Sequence, residues 1–273
     1  MSLQIATIPC RSDNYAFLLH DKDSGETALV DAPEAEPIIK ELDKRGWTLT
    51  QILITHHHYD HIDAVEELRA KYAAKVVGAK ADAHRLPTLD VALSEGDTLK
   101  VGDNIGRVLD VSGHCADHLA FYFADSFAVF TADSLMALGC GRLFEGTPDQ
   151  MWASLSKLAA LPPMTIVYSG HEYTAANATF AYSVEPNNPA LRDRILQIIE
   201  ARAQNIPTVP STLADELATN PFLRPASGEI RKNLAMQANT DAEVFAEIRR
   251  RKDNFKQTKM PDITEEPCNC AYE

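Results

Sequence analysis

The stretch Thr55-His56-His57-His58-Tyr59-Asp60-His61 constrains this chain more than any other. It sets four imidazoles and a carboxylate directly after the apolar run Ile52-Leu53-Ile54. A short aliphatic run bounded by polar residues reads as a buried strand, and the segment after His61 has helical periodicity. The histidines and the aspartate therefore fall on a strand-to-helix loop, where a site is exposed yet held by rigid elements. His56 and His58, two apart in extended chain, project to the same side and can share one metal ion. Asp60 and His61 follow at the turn and add an oxygen and a further nitrogen. Such borderline-soft donors suit zinc, with iron and manganese as alternatives. A solvated histidine loop or a purification tag is the plainer account, but the stretch is internal and follows a buried-type strand.

The rest of the first half reads mainly as strands. Segments 3–8, 15–19 and 27–30 are strand-like, the last two joined by a turn at 21–25. A helix over 33–46 stops at Gly46, and 51–54 is the strand before the histidines. Residues 62–74 carry a helical stripe of Val65, Leu68 and Tyr72, followed by a strand at 75–78. Strands 98–101 and 107–111 form a hairpin through Gly102-Asp103-Asn104. A second pair spans 119–123 and 127–131. A helix over 149–161 ends at Pro162-Pro163, and 165–168 is again a strand. This pattern predicts two sheets packed face to face with helices outside, a layered α/β sandwich. Beyond it, 173–184, 189–205 and 241–256 are helical with no strand between them. The expected division is a first domain over 1–172 and a smaller all-helical domain over 173–273.

Three further strand ends finish in metal-ligand residue types: Ser112-Gly113-His114, Thr131-Ala132-Asp133 and Ser169-Gly170-His171. One strand-end histidine is ordinarily structural or solvated. Three such ends, each complementing the loop at 56–61, point to a single site. Together His56, His58, His61, His114, His171, Asp60 and Asp133 are enough donors for two divalent metal ions. His57 and Tyr59 alternate with ligands and read as packing or loop-shaping residues, while His20 and His84 carry no functional signal. Phe180 and Tyr182 read as core.

The totals exclude other classes. A formal charge of −13 over 273 residues argues against general nucleic-acid binding. The first ten residues lack the pattern of a secretory signal, and no run reaches the length of a membrane span, so a soluble, cytoplasmic protein is expected. The odd count of five cysteines, scattered along the chain, fits a reducing compartment rather than a disulfide framework. Cys268 and Cys270 read as untethered thiols of an acidic tail.

These motifs resemble the metallo-β-lactamase superfamily and, within it, the hydroxyacylglutathione hydrolases (glyoxalase II), over nearly the whole chain. His56-x-His58-x-Asp60-His61 matches the superfamily motif, with His114, Asp133 and His171 at its later ligand positions. The resemblance implies an αββα sandwich followed by a helical C-terminal domain. It assigns His56, His58 and His114 to one ion, and Asp60, His61 and His171 to a second, with Asp133 bridging; Zn2+ is the first choice of metal, Fe or Mn the others. Asp60 and Asp133 are thereby implied in catalysis. The narrower match rests on 139–147, Gly170-His171-Glu172-Tyr173-Thr174, Val184-Glu185-Pro186-Asn187, Asn220-Pro221-Phe222-Leu223-Arg224 and 249–255. It implies that Arg249 and Lys252 grip a glutathione carboxylate and that Tyr173 contacts the substrate, with Arg142 and Phe144 standing where the family usually has lysine and tyrosine. The family also commonly has a threonine after the ligand histidine and a glycine before the next, where this chain reads His114-Cys115-Ala116-Asp117-His118.

The implied reaction is hydrolysis of S-2-hydroxyacylglutathione, typically S-D-lactoylglutathione, to a 2-hydroxy acid and glutathione, the second step of methylglyoxal detoxification. Metal binding lowers the pKa of water from about 15.7 to about 7. A thiolate, with a pKa near 8.5 for cysteine-like groups, leaves without a dedicated acid. The substrate is anionic like the protein, so a local basic cluster (Arg249, Arg250, Arg251, Lys252, Lys256 and Lys259) is expected to reverse the field over roughly 8 Å. The alternatives are a mononuclear iron persulfide dioxygenase or another hydrolase of the same superfamily, and a non-catalytic metal-binding protein. The helical tail bearing Arg249 and Lys252 argues against the dioxygenase, and the full set of ligands against the last. A monomer fits, although the oligomeric state is open at this stage.

Overall fold

The structure, a computed structural model, describes residues 2–256; Lys259, Cys268 and Cys270 lie outside the described residues. The chain runs β1 (Gln4–Cys10), β2 (Asn14–His20), β3 (Thr27–Val30), α1 (Ala35–Arg45), β4 (Gln51–Leu53), α2 (Tyr59–Ile62), α3 (Val65–Tyr72), β5 (Lys75–Ala79) and β6 (Val91–Leu93). Then come β7 (Thr98–Val101), β8 (Asn104–Asp110), β9 (Leu119–Phe123), β10 (Ala128–Ala132), β11 (Leu135–Met136), β12 (Gly139–Cys140), α4 (Pro148–Ala159) and β13 (Ile166–Ser169). The remainder is α5 (Thr174–Val184), α6 (Pro189–Ala203), β14 (Ser211–Thr212), α7 (Leu213–Thr219), α8 (Gly228–Leu234) and α9 (Asp241–Asp253).

One sheet has the order β1-β2-β3-β4-β5-β6, antiparallel up to β3 and parallel from β3 to β6. The other has the order β14-β13-β10-β9-β8-β7, with β10 and β13 parallel. Strand periodicity decides which residues meet where. In β9, Leu119, Phe121 and Phe123 join the core between the sheets, while Ala120 and Tyr122 face the opposite core. The same alternation separates Phe130 from Val129 in β10, and Tyr168 from Val167 in β13. The second sheet is therefore buried on both faces.

Its outer face is covered by α4 and by the later helices, since Leu155, Phe180, Phe222 and Phe245 share one cluster with Val129 and Val167. α4 and α9 each start with a reciprocal capping box, Thr147/Gln150 and Thr240/Glu243. Both helices are thus pinned at their exposed N-terminal ends.

Three local features differ from expectation. The helical part is not free of strands, because Ser211–Thr212 pairs antiparallel with β13. Two residues are too short to show periodicity. The three-residue edge strand β6 and the β11–β12 pair escape sequence reading for the same reason. Helix over 62–74 is in fact two pieces, and the first begins at Tyr59, so Asp60 and His61 stand on a helical turn rather than a loop. Among the described residues no helix is long and apolar enough to cross a membrane.

Candidate metal centre and its cavity

The centre forms where parallel strands end side by side. β3 and β4 run parallel, so Asp31, just after β3, faces Thr55, just after β4; Thr55 N donates to Asp31 Oδ1 at 2.9 Å. His58 caps the start of α2, and the His61 N–H closes back on the His58 carbonyl at 2.9 Å. That single turn brings His56, His58, Asp60 and His61 to one point. On the other sheet, a register shift at the end of β10 (Ala132 has φ 40°) turns Asp133 toward the same point. Gly170 N donates to Ala132 O at 3.0 Å and so sets His171 beside Asp133. A side chain at Gly170 would come within 2.6 Å of Asp133 Oδ1 and 2.9 Å of His61 Cε1. Only glycine leaves the centre open there.

The seven side chains named from sequence all converge. His58 Nδ1 lies 3.1 Å from His56 Nε2 and 3.0 Å from His114 Nε2. His61 Nε2 lies 3.3 Å from His171 Nε2, and Asp60 Oδ2 is 3.8 and 3.6 Å from these two nitrogens. Asp133 spans the groups. Its Oδ1 is 3.5 Å from His61 Nε2 and 3.3 Å from His171 Nε2, and its Oδ2 is 3.5 Å from His114 Nε2.

These separations test whether a metal fits. Zn–N bonds of about 2.0–2.1 Å around a tetrahedron set neighbouring donor atoms about 3.3 Å apart. His58 Nδ1 stands 3.1 and 3.0 Å from its two neighbours in the first set, and the donors of Asp60–His61–His171 stand 3.3, 3.6 and 3.8 Å apart, close to that spacing. Asp133 Oδ1 is moreover a buried oxygen with no hydrogen bond. The donors fit divalent ions, and the chain carries a divalent-metal site. A third grouping, Asp31–His56–His61, also meets the distance criterion. Both oxygens of Asp31 are already committed to Thr55 and His61, so we read it as support.

Four of the five histidines, all but His58, are oriented from behind. His61 Nδ1 donates to Asp31 Oδ2 at 2.8 Å, His171 Nδ1 to Asp13 Oδ1 at 2.9 Å, and His114 Nδ1 to the Arg142 carbonyl at 2.7 Å. The Thr55 hydroxyl gives its proton to Asp31, which leaves a lone pair for His56 Nδ1–H at 2.9 Å. Asn14 Nδ2 donates to Asp60 Oδ2 at 3.0 Å. The ring nitrogens facing the centre are therefore the unprotonated ones in the neutral tautomer. Sequence reasoning missed Asp13, Asn14, Asp31 and Thr55. Asp31 carried a usable signal, for it follows a strand end just as Asp133 does.

Electrostatics divides the centre. Burial, then the neighbouring imidazoles, pushes His58 down to about 4, and burial likewise lowers His56 and His114. Burial alone would raise Asp133, but the charges of His171 and His61 outweigh it and hold this carboxyl below the usual range. Burial opposes protonation of His171 as well, and Asp133 overcomes it, lifting the imidazole to about 9. A cation entering beside His171 therefore displaces a proton.

The centre floors a cavity of ≈ 380 Å³ whose walls include all five expected substrate-binding residues, Arg142, Phe144, Tyr173, Arg249 and Lys252. Tyr173 stacks on His171 at 4.7 Å between centroids, and Phe144 meets the His58 and His114 rings edge-on at 5.7 and 5.2 Å. Arg249 is buried, with Nη1 on the Cys140 carbonyl at 2.9 Å and Nη2 on Asp253 Oδ1 at 2.7 Å. Lys252 Nζ donates to the Ala176 carbonyl at 3.1 Å.

The expected basic cluster is smaller than the sequence suggests, since Arg250 and Arg251 both pair with Glu247 at 2.7 and 2.8 Å on the exposed side of α9. His57 turns away from the centre onto Asp82 at 3.0 Å, and exposed Tyr59 lies under Arg11. His20 stacks on Trp47, and His118 is buried against the His56 ring. Phe180 is core, and Tyr182 packs against the α5–α6 cluster. Cys10, Cys115 and Cys140 are buried free thiols.

Comparison with known proteins agrees with this architecture. Residues 12–171 match the model of the metallo-β-lactamase superfamily, and residues 172–255 match the hydroxyacylglutathione hydrolase C-terminus. A hydroxyacylglutathione hydrolase of Ruegeria pomeroyi is 63% identical over 255 residues, covering 93% of this chain and 100% of that protein. The crystal structure of ETHE1 from Myxococcus xanthus is similar with a TM-score of 0.64 at 26% identity, covering 96% of each chain. That of TTHA1623 in a di-iron-bound form gives 0.56 at 25% identity, covering 79% of this chain and 98% of the other. With both halves matched and a relative of this identity aligned over its full length, the chain belongs to the metallo-β-lactamase superfamily and, within it, to the hydroxyacylglutathione hydrolases.

Proposed function

We propose that this protein hydrolyses S-2-hydroxyacylglutathione thioesters, typically S-D-lactoylglutathione, to a 2-hydroxy acid and glutathione. The observation that carries the reading is one cavity lined by five of the seven metal-type donors, His58, Asp60, His114, Asp133 and His171, with the side chains of Arg142 and Lys252 in its wall. In this reading His56, His58 and His114 would hold one divalent ion, Asp60, His61 and His171 would hold a second, and Asp133 would be shared between them. Zinc is the first choice on donor type, with iron or manganese as the others. The di-iron form of the similar TTHA1623 supports a count of two. Bound there, the ions would supply a water-derived nucleophile at neutral pH and polarise the thioester carbonyl.

The chain's own residues do the rest. Asp60 and Asp133 stay ionised and face the reacting carbon from one wall. Gly141 lets this segment pack directly on the backbone of Asp133, since a side chain there would collide with the Asp133 carbonyl oxygen. The glutathione carboxylate is taken by Lys252, with Arg142 beside it and Arg249 bracing α9 against Cys140. Tyr173 and Phe144 flank the substrate. The leaving thiolate needs no acid, because its conjugate thiol is acidic on the scale of about 8.5. A cytoplasmic location and no nucleic-acid partner go with this reading.

The test is turnover of S-D-lactoylglutathione measured together with metal content. Protein that holds two equivalents of metal and does not hydrolyse the thioester would refute it, and oxygen uptake with a persulfide would favour the dioxygenase.

A further inference from the structure

The segment from Gly141 to Gly146 crosses the cavity mouth as a strap laid along the loop that carries His114. Three backbone contacts tie it down: His114 Nδ1 on Arg142 O at 2.7 Å, Phe144 N on His114 O at 3.0 Å, and Gly146 N on Gly113 O at 3.2 Å. Arg142 and Phe144 ride on this strap and are exposed, so their own side chains do little to fix it. Its outer end is held differently. Glu145 accepts from Ala116 N at 2.8 Å through Oε2, and its Oε1 takes Arg85 Nη1 at 2.6 Å. Arg85 uses its Nε on Asp82, whose carboxylate is fully buried and also receives His57 Nδ1 at 3.0 Å.

We propose that Arg85 is a positioning residue, which clamps Glu145 to the buried Asp82 and thereby sets Arg142 and Phe144 against the substrate. The inference rests on the reading of this cavity as the glutathione-thioester site. An exposed ion pair alone would be worth little, but here one anchor is immobile and fully buried. The planar guanidinium reaches both carboxylates at once, which an ammonium on a flexible stem does not. Without Arg85, the link left between Glu145 and Asp82 among the described residues is His57, whose Nδ1 holds Asp82 but whose Nε2 stands 3.6 Å from Glu145 Oε1, beyond a hydrogen bond, so the outer end of the strap loosens.

The experiment compares Arg85→Ala, Arg85→Lys and Glu145→Gln in the full-length metal-loaded protein. Arg85→Ala is expected to raise KM for S-D-lactoylglutathione by about fivefold, as for a pair worth about 1 kcal/mol, with kcat changed less than about twofold. KM for a small neutral thioester should stay put. In an Arg142→Ala background most of the Arg85 effect should vanish, because both act through the same strap. Hydrogen exchange at the amides of Ala116, Phe144 and Gly146 should speed up in Arg85→Ala and less in Arg85→Lys. Unchanged exchange at these amides, or an equal KM effect on the neutral thioester, would overturn the proposal. Should Arg85→Ala not fold, Glu145→Gln carries the same tests. Absence of thioester turnover in the unaltered protein would sink the substrate reading instead, and the exchange result would still decide the clamp.

Discussion

Replacing Lys252 with methionine is the sharpest perturbation of substrate recognition, because it removes a charge while keeping most of the stem. Nζ makes one hydrogen bond, to the Ala176 carbonyl, and lies 5.3 Å from the Phe180 ring centroid. Among the described residues no carboxylate pairs with it. Burial, and then the charge of Arg249, pushes this ammonium down to about 8. A carboxylate held by such a group gains a charge-assisted hydrogen bond of about 1.5–3 kcal/mol. Partial exposure and salt bring this to the lower end, so Lys252→Met should raise KM for the glutathione thioester by about tenfold. The turnover number should change little, since the contact is remote from the reacting bond. The sign of the pH effect follows from the direction of the shift. The cation is present below about pH 8 and lost above it, so kcat/KM, which reports the free enzyme, should fall as pH rises through about 8. The variant should start lower and lack that limb. An alkaline limb of the same size and position in Lys252→Met would refute the assignment.

Asp133→Ala removes the carboxylate shared by both donor sets, and the variant should lose most activity and at least one equivalent of metal by elemental analysis. Arg249→Ala should lower stability as well as substrate affinity, because it strands the Cys140 carbonyl and Asp253. Asp253 is exposed and stays hydrated, so the loss comes mainly from the buried Cys140 carbonyl and is about 1–3 kcal/mol, which a thermal melt reads as a drop of a few degrees. Serine at both Cys268 and Cys270 should leave activity and metal content intact, and loss of either would place the tail thiols in a site.

The candidate ligands were legible because each is local. The donors at 56–61 sit within one strand-to-helix turn, and His114, Asp133 and His171 each close a strand of ordinary pattern. Their supports are not local. Asp31 reaches His61 across two neighbouring parallel strands, Asp13 reaches His171 over 158 positions, and His114 is aimed by a carbonyl that any residue would supply. No periodicity encodes such partners. The sandwich was legible from strand alternation, whereas β14 is two residues long and takes its conformation from β13 rather than from its own side chains. Of the later helices α5, α6 and α9 were visible, whereas the seven-residue α7 and α8 were too short to show a period. That later helices cover the second sheet was not legible, because an amphipathic stripe does not say what it will meet.

Charge shows the same division between what a segment contains and what its surroundings leave available. Residues 249–252 read as a continuous basic patch able to draw an anionic substrate toward a protein of formal charge −13. In the fold, Glu247 engages Arg250 and Arg251, and Asp253 engages Arg249. Arg142 stands 3.5 Å from the same Asp253. Helical spacing makes this inevitable, since acids three or four positions away share a face with the arginines. What remains at the cavity wall for an incoming carboxylate is Lys252, whose proton affinity is lowered first by burial and then by the charge of Arg249, together with Arg142, which is shared with Asp253. Recognition in this reading rests on Lys252 and Arg142 at the cavity wall rather than on a broad field. Such a contact acts within a few ångströms, so salt should weaken capture of the glutathione thioester less than the basic run alone would imply.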